Sequence, residues 1–247
     1  MNQSTRSRGK FSEPEREAVY RAIFERRDVR RNFLSSPIPD NVLARLLVAA
    51  HHAGSVGFMQ PWDFVVVRKD ATKRKVKELF NQANAEAASR YKGAKADLYR
   101  SLKLEGIEEA PVNLCVTCSR QRAGRHVLGR STVRDTDLYS TCCAIQNLWL
   151  AARAEGIGVG WVSILDHGAL KPVLGIPRSV KVLAYLCLGY MSDFSVQPDL
   201  ELAGWRARLP VDQLIHYESW GNRTKEDREN GDAHHQGIYQ DRRRRKN

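Results

Sequence analysis

Arg26-Arg27-Asp28-Val29-Arg30 sets three guanidiniums around one carboxylate within five residues. Arginine forks bind phosphate oxygens in pairs, so the cluster can act as a phosphate clamp. It can equally be a set of cations complementing the C-terminus of a helix. Asp28 is then a salt-bridge filler or a placed acid–base group, held ionised by its neighbours. A second candidate is the loop Ala53-Gly-Ser-Val-Gly-Phe-Met-Gln-Pro-Trp62. Ser55 and the loop amides can bind a phosphate or the polar edge of a ring, and Gln60 offers both donor and acceptor; an ordinary connection is the plainer reading. A third is Gly156-Ile-Gly-Val-Gly-Trp-Val-Ser163. Its glycines allow close approach to a flat ligand. It lacks the dinucleotide-binding spacing and enters a strand rather than a helix. Ser163 can bond a ligand or be a satisfied strand-end hydroxyl. The fourth is Gly204-Trp-Arg-Ala-Arg-Leu-Pro210, where Arg208 can complete a phosphate site from late in the chain.

The elements that must position these groups follow from periodicity and capping. Ser12-Glu-Pro-Glu15 is a capping-box pattern, followed by Val19, Tyr20, Ile23 and Phe24 at helical spacing up to Arg26. A second helix is expected from about Asp40 to Ala53. Trp62 to Val67 is a strand by its β-branched run. A polar helix follows over 71–92, then a charged, partly helical stretch, 93–110, expected to be a mobile cover. Strand 112–118 precedes a loop rich in Arg and Gly, 119–134. The strongest helix runs from 137 to 155, with Leu138, Cys142, Ile145, Trp149 and Ala152 in register and other faces also apolar, which places it centrally or at an interface. Strands over 159–164 and 180–190 flank a short helix, 167–174. Irregular alternation of this kind reads as α+β, helices packed on a sheet.

The chain has 247 residues and a formal net charge of +12, enough to bury a full core. No apolar run reaches the roughly 20 residues of a membrane span, and Met1 to Lys10 is polar and basic, unlike a secretory signal; a cytoplasmic protein without membrane contact is expected. The charge alone permits a nucleic-acid binder acting through its basic ends, but no aromatic–basic stripe accompanies it and nucleic acid is not the expected partner. The five cysteines, Cys115, Cys118, Cys142, Cys143 and Cys187, read as buried, reduced thiols. The Cys115–Cys118 spacing lies in a strand with no second ligand pair, so no metal is expected. The domain organisation expected is a basic disordered stretch over 1–10, one domain over 11–220, and a disordered charged tail over 221–247.

Taken in order, Arg-Arg-x-x-Arg at 26–30, the Ser-to-Trp run at 55–62, the Gly-x-Gly-x-Gly-Trp run at 156–161 and Arg208-Leu-Pro210 resemble the nitroreductase family of FMN flavoproteins. The resemblance spans about residues 15–220. It implies a nitroreductase-like fold with a central mixed or antiparallel sheet flanked by helices, built as an intertwined homodimer. Asp28, where most members carry Ser or Thr, is similar to a subgroup of that family, as are the runs 55–62, 101–107, 137–141 and 160–163. In that subgroup reduced FMN is consumed as substrate with molecular oxygen as co-substrate, giving 5,6-dimethylbenzimidazole, the lower ligand of vitamin B12, and erythrose 4-phosphate. The resemblance then implies Asp28 and Ser163 as catalytic residues. It implies Arg26, Arg27, Arg30 and Arg208 on the 5′-phosphate, and Ser55, Met59, Gln60, Leu104 and Gly160 around the flavin. It also implies a separate flavin reductase as the source of reduced FMN. The alternative within the same family is an FMN-dependent NAD(P)H nitroreductase or flavin reductase.

Overall fold

In a computed structural model the described residues are 9–223; the basic N-terminal stretch up to residue 8 and the tail from 224 lie outside them. The chain divides into two units, residues up to Ala203 and residues from Gly204 onward.

The first unit begins with α1 (Glu13–Glu25). Glu15 Oε2 accepts from both the Ser12 backbone N–H at 3.0 Å and the Ser12 hydroxyl at 2.6 Å, so the capping pattern closes the first turn. α2 (Asp40–His51) buries Val42, Leu43, Leu46 and Ala50. β1 (Trp62–Val67), α3 (Asp70–Ala88) and α4 (Ala94–Ser101) follow. Then come β2 (Val112–Cys118), α5 (Thr136–Ala154), β3 (Ile157–Trp161), α6 (His167–Leu174) and β4 (Lys181–Tyr190), and the single-turn α7 (Asp199–Leu202). The strands form one sheet in the order β1-β2-β4-β3, antiparallel throughout. Every residue of β2 is buried, as a central strand covered on both faces requires.

Two apolar layers enclose the sheet. One packs α2 and α5 through Leu46, Ile145, Leu148 and Trp149 against Leu114, Val159, Leu186 and Leu188. The other packs Val76, Phe80, Ile107, Leu170 and Ile176 against Cys115, Tyr185 and Cys187.

Three expectations are corrected here. The inward face of α5 is broader than the one read off its apolar residues. Ile145, Trp149 and Ala152 are buried as expected, Asp137, Ser140 and Thr141 are buried beside them, and Cys142 is exposed. Polar residues can face inward because Arg120 Nε reaches Asp137 at 2.8 Å and the Thr141 hydroxyl donates to the Asp137 carbonyl at 2.9 Å. Cys143 is exposed as well, so only Cys115, Cys118 and Cys187 are buried thiols. The stretch 105–110 is no loose cover. Glu105, Ile107 and Ala110 are buried; Lys73 Nζ donates to the Ala110 carbonyl at 2.7 Å and Asn113 to that of Ile107 at 2.9 Å.

In the second unit the described chain contains a 3-10 turn, Val211–Leu214. His216 stacks on Trp220 with ring centres 4.3 Å apart. Among the described residues no helix is long and apolar enough to cross a membrane.

Leu148 is fully buried between α5 and the sheet. Leu148→Ala is expected to cost about 2–5 kcal/mol of stability through lost transfer energy and a residual cavity, read from urea unfolding at unchanged m-value.

Candidate active site

Arg26 to Arg30 leave the end of α1 in extended conformation and run alongside β3. Val29 N–H donates to the Val159 carbonyl at 3.2 Å, and Asp28 forms a parallel bridge with Val159. The Asp28 carboxylate takes two bonds, one from the Trp161 backbone N–H at 2.9 Å and one from an Arg30 guanidinium N–H. Burial pushes the Asp28 carboxyl above its ordinary value, more than Arg30, the Trp161 N–H and Arg26 pull it down. Its side chain keeps about a third of its surface exposed, at 32 %, while that of Arg30 keeps 11 %. Among the described residues Arg30 Nε is buried with no acceptor, a donor left over in a charged cluster.

The three arginines have different employment. Arg26 lies with its guanidinium carbon 4.8 Å from the centre of the Trp149 ring, a cation–π geometry. Arg27 donates to the carbonyls of Phe24 and Arg26, each at 2.8 Å, of Ser195 at 3.0 Å, and of Val196. It caps α1 and ties down the chain after β4. Trp149 Nε1 in turn donates to the Arg27 carbonyl at 3.2 Å. Arg208 belongs to the second unit and is exposed.

The glycines of β3 serve the protein's own backbone. A Cβ on Gly160 would overlap the Val29 carbonyl oxygen, and one on Gly158 would fall 2.6 Å from Val29 Cγ2. The close approach anticipated for a ligand is taken at these two positions by residues 28–30. Ser163 follows β3 by two residues and is exposed. Leu104 is half-buried against the second apolar layer. It adjoins Glu105, which accepts from Lys77 at 2.5 Å, Lys103 at 3.0 Å and the Ile107 N–H at 2.7 Å. Burial pushes the Glu105 carboxyl up, but these bonds outweigh it and hold it below its ordinary value. A Cβ on the next residue, Gly106, would fall 3.2 Å from the Arg30 carbonyl, so this segment stands beside the Asp28 cluster.

Ser55, Met59 and Gln60 are placed elsewhere. The Gln60 N–H donates to Ser55 Oγ, and the Val56 N–H to Ser140 of α5, both at 3.2 Å. Met59 is buried. This loop leads into Trp62, which pairs with Cys118 at one end of edge strand β1. Asp28 adjoins Val159 on the opposite edge, in the row of Leu188 and Val112 at the other end. Three strand spacings across and six residues along put the two groups roughly 25 Å apart within one chain.

The Nitroreductase family profile matches residues 23–190. The chain belongs to this family. It is 43 % identical over 190 residues to a 5,6-dimethylbenzimidazole synthase of Rhodospirillum rubrum, covering 76 % of this chain and 90 % of that protein. It is 40 % identical over 202 residues to a protein of the same name from Rhodobacter capsulatus, covering 82 % and 97 %. Among solved structures, a BluB-like flavoprotein from Clostridium difficile 630 superposes with a TM-score of 0.62 at 21 % identity, over 81 % of this chain and 99 % of that one. Oxidised iodotyrosine deiodinase bound to FMN and 3-iodo-L-tyrosine gives 0.63 at 19 %, over 82 % and 100 %. These two establish the fold.

Sequence reasoning did not find the Trp161 N–H, Trp149 or Glu105. Backbone donors carry no signature, and Glu105 sits in a charged stretch that reads as a mobile cover.

The raised Asp28 carboxyl has a pH consequence. A fold that raises a carboxyl's pKa binds its proton more tightly than the unfolded chain does, so stability is lost as pH climbs from the ordinary carboxylate value through the folded one. Asp28→Asn has no such titration. Its Tm is expected to rise relative to wild type as pH climbs above the ordinary carboxylate value of about 4; a difference that stays constant with pH would show an unshifted carboxyl.

Proposed function

We propose that the protein fragments reduced FMN with molecular oxygen, yielding 5,6-dimethylbenzimidazole and erythrose 4-phosphate. The observation that carries this reading is Asp28, half-shielded and bonded by Arg30 and the Trp161 N–H, in a chain closely similar to two proteins named for that product. The residues present fit the flavin. Arg30 has a buried Nε with no acceptor among the described residues, suited to a phosphate oxygen, and Arg26 adds a second positive charge near Asp28. Reduced FMN, when bound, supplies the electrons that activate oxygen and the ring atoms of the product.

The chain's own groups do the rest. Arg30 and Arg26 bind the phosphate, and Arg27, spent on carbonyls, fixes the turn that presents them. Asp28, with its carboxyl pushed upward by burial, takes up and holds a proton more readily than an ordinary carboxylate. Ser163, exposed beyond β3, orients the flavin by hydrogen bonding. Leu104 covers the ring and excludes water. Ser55, Met59 and Gln60 line the flavin from a second copy of the chain, because within one copy they lie at the far corner of the sheet. A separate flavin reductase delivers the reduced substrate.

Two outcomes follow. Light scattering at micromolar concentration is expected to give about twice the 28.0 kDa chain mass; a monomer would remove the shared site. After reduced FMN is mixed anaerobically and oxygen admitted, wild type is expected to yield dimethylbenzimidazole. Asp28→Asn is expected to fold and bind reduced FMN but to lose product formation by about 10²-fold or more. Wild type that returns all its flavin as oxidised FMN would instead be a reductase.

A further inference from the structure

The loop rich in Arg and Gly, residues 119–134, is packed on the loop that carries Ser55, Met59 and Gln60. The Ser119 N–H donates to the Pro61 carbonyl at 2.7 Å. Arg122 Nη1 donates to the Gln60 carbonyl at 3.0 Å and to the Trp62 carbonyl at 2.7 Å, and its Nη2 to the Asp63 carboxylate. Three consecutive carbonyls, 60 to 62, are therefore held by one short stretch of chain. The loops touch further along. A Cβ on Gly57 would lie 2.6 Å from Val127 Cγ1 and 2.8 Å from the Leu128 carbonyl oxygen, and one on Gly129 would lie 3.0 Å from Val56 Cγ1.

The covering loop is itself anchored. Buried Asp137 of α5 accepts from Arg120 Nε at 2.8 Å and lies 3.5 Å from Arg130 Nη2. Arg130 Nη1 also donates to the Arg120 carbonyl at 2.5 Å. A continuous set of bonds thus runs from α5 through residues 120–130 to residues 60–63.

The loop so held is strained. Gly57, Phe58 and Gln60 have φ of 59°, 51° and 45°, and the last two carry side chains that disfavour this region. Such conformations persist only where the surroundings over-determine them, and they gather at functional sites. A planar guanidinium can serve two carbonyls and a carboxylate together; a lysine ammonium on a flexible stem cannot reproduce that fork.

We propose that Arg122 is a positioning residue for the flavin-binding loop, setting where Ser55, Met59 and Gln60 stand against the ring. This rests on the proposed function for the identity of the ligand.

The test uses the full chain with Arg122→Ala, Arg122→Lys and Gly57→Ala, and Arg125→Ala as a control on an exposed side chain outside the network. Three readouts are compared: FMN affinity by fluorescence quenching, the visible circular dichroism of bound FMN, and the division of reduced flavin between two products. Those products are dimethylbenzimidazole, and oxidised FMN with an equivalent of hydrogen peroxide. Arg122→Ala is expected to bind FMN about tenfold more weakly, to alter the dichroism and to divert flavin to peroxide while still consuming oxygen. Arg122→Lys and Gly57→Ala are expected to shift all three in the same direction, and Arg125→Ala none. Wild-type affinity, dichroism and product division in Arg122→Ala and Arg122→Lys would overturn the proposal. Should Arg122→Ala fail to fold, the same result in Arg122→Lys and Gly57→Ala would overturn it. If wild type binds FMN but makes no benzimidazole, the proposed reaction fails, while affinity and dichroism still decide the role of Arg122.

Discussion

The site depends on one close approach, that of residues 28–30 to β3. Two bonds make it, Val29 N–H to the Val159 carbonyl and Trp161 N–H to the Asp28 carboxylate. It is possible only because positions 158 and 160 lack a Cβ. Everything chemical at this corner hangs on that contact. It turns Asp28 toward Arg30, brings Arg27 within reach of Ser195 and Val196, and sets the Arg27 carbonyl over Trp149. A side chain at position 160 would meet the backbone oxygen of Val29, which cannot swing aside as a flexible side chain does.

The sheet then fixes the distances between the parts. Its antiparallel ladder is covered on both faces, so the corners cannot slide relative to one another without breaking packed layers. The frame therefore holds the Asp28–Arg30 cluster at one corner and a strained loop at the other, well apart. The same rigidity explains why both corners are braced by arginines on carbonyls, Arg27 at one and Arg122 at the other. A charged donor on a carbonyl gives strong, directional bonds.

Much of this architecture was legible in the sequence, and the rest fails for physical reasons. Strand β1 was read with its observed ends, and β2 likewise, because β-branched runs bounded by turns are local signals. The α+β class followed from the order of elements. The grouping of Arg26, Asp28 and Arg30 was visible because it is contiguous. Two of the four carbonyls that Arg27 holds were invisible because they lie 168 and 169 residues away. The glycines of β3 were recognised as permitting close approach, but spacing cannot say whether a ligand or the chain itself approaches. On α5 the burial of Ile145, Trp149 and Ala152 was legible, but that of Asp137 and Thr141 was not, because hydrophobicity ranks Cys142 above both. The guanidinium that satisfies Asp137 comes from outside the helix. Arg122 carried no signal beyond its charge, since its carbonyl acceptors precede it by some 60 residues.

The long span between Asp28 and its backbone donor also bears on how the molecule comes into being. The Asp28–Trp161 bond joins residues 133 apart, and the Arg27–Ser195 bond residues 168 apart. Closing such loops costs chain entropy that local contacts do not, and a topology rich in them folds slowly. During synthesis the N-terminal segment must wait for β3 to leave the ribosome before it has a ledge to dock on, and longer still for residues 195 and 196 to lock it. The helices and the β1-β2 pair can form in the meantime. The segment that carries Arg26, Arg27, Asp28 and Arg30 is therefore among the last parts of the fold to reach its place, and a half-made chain lacks the two bonds that hold it there.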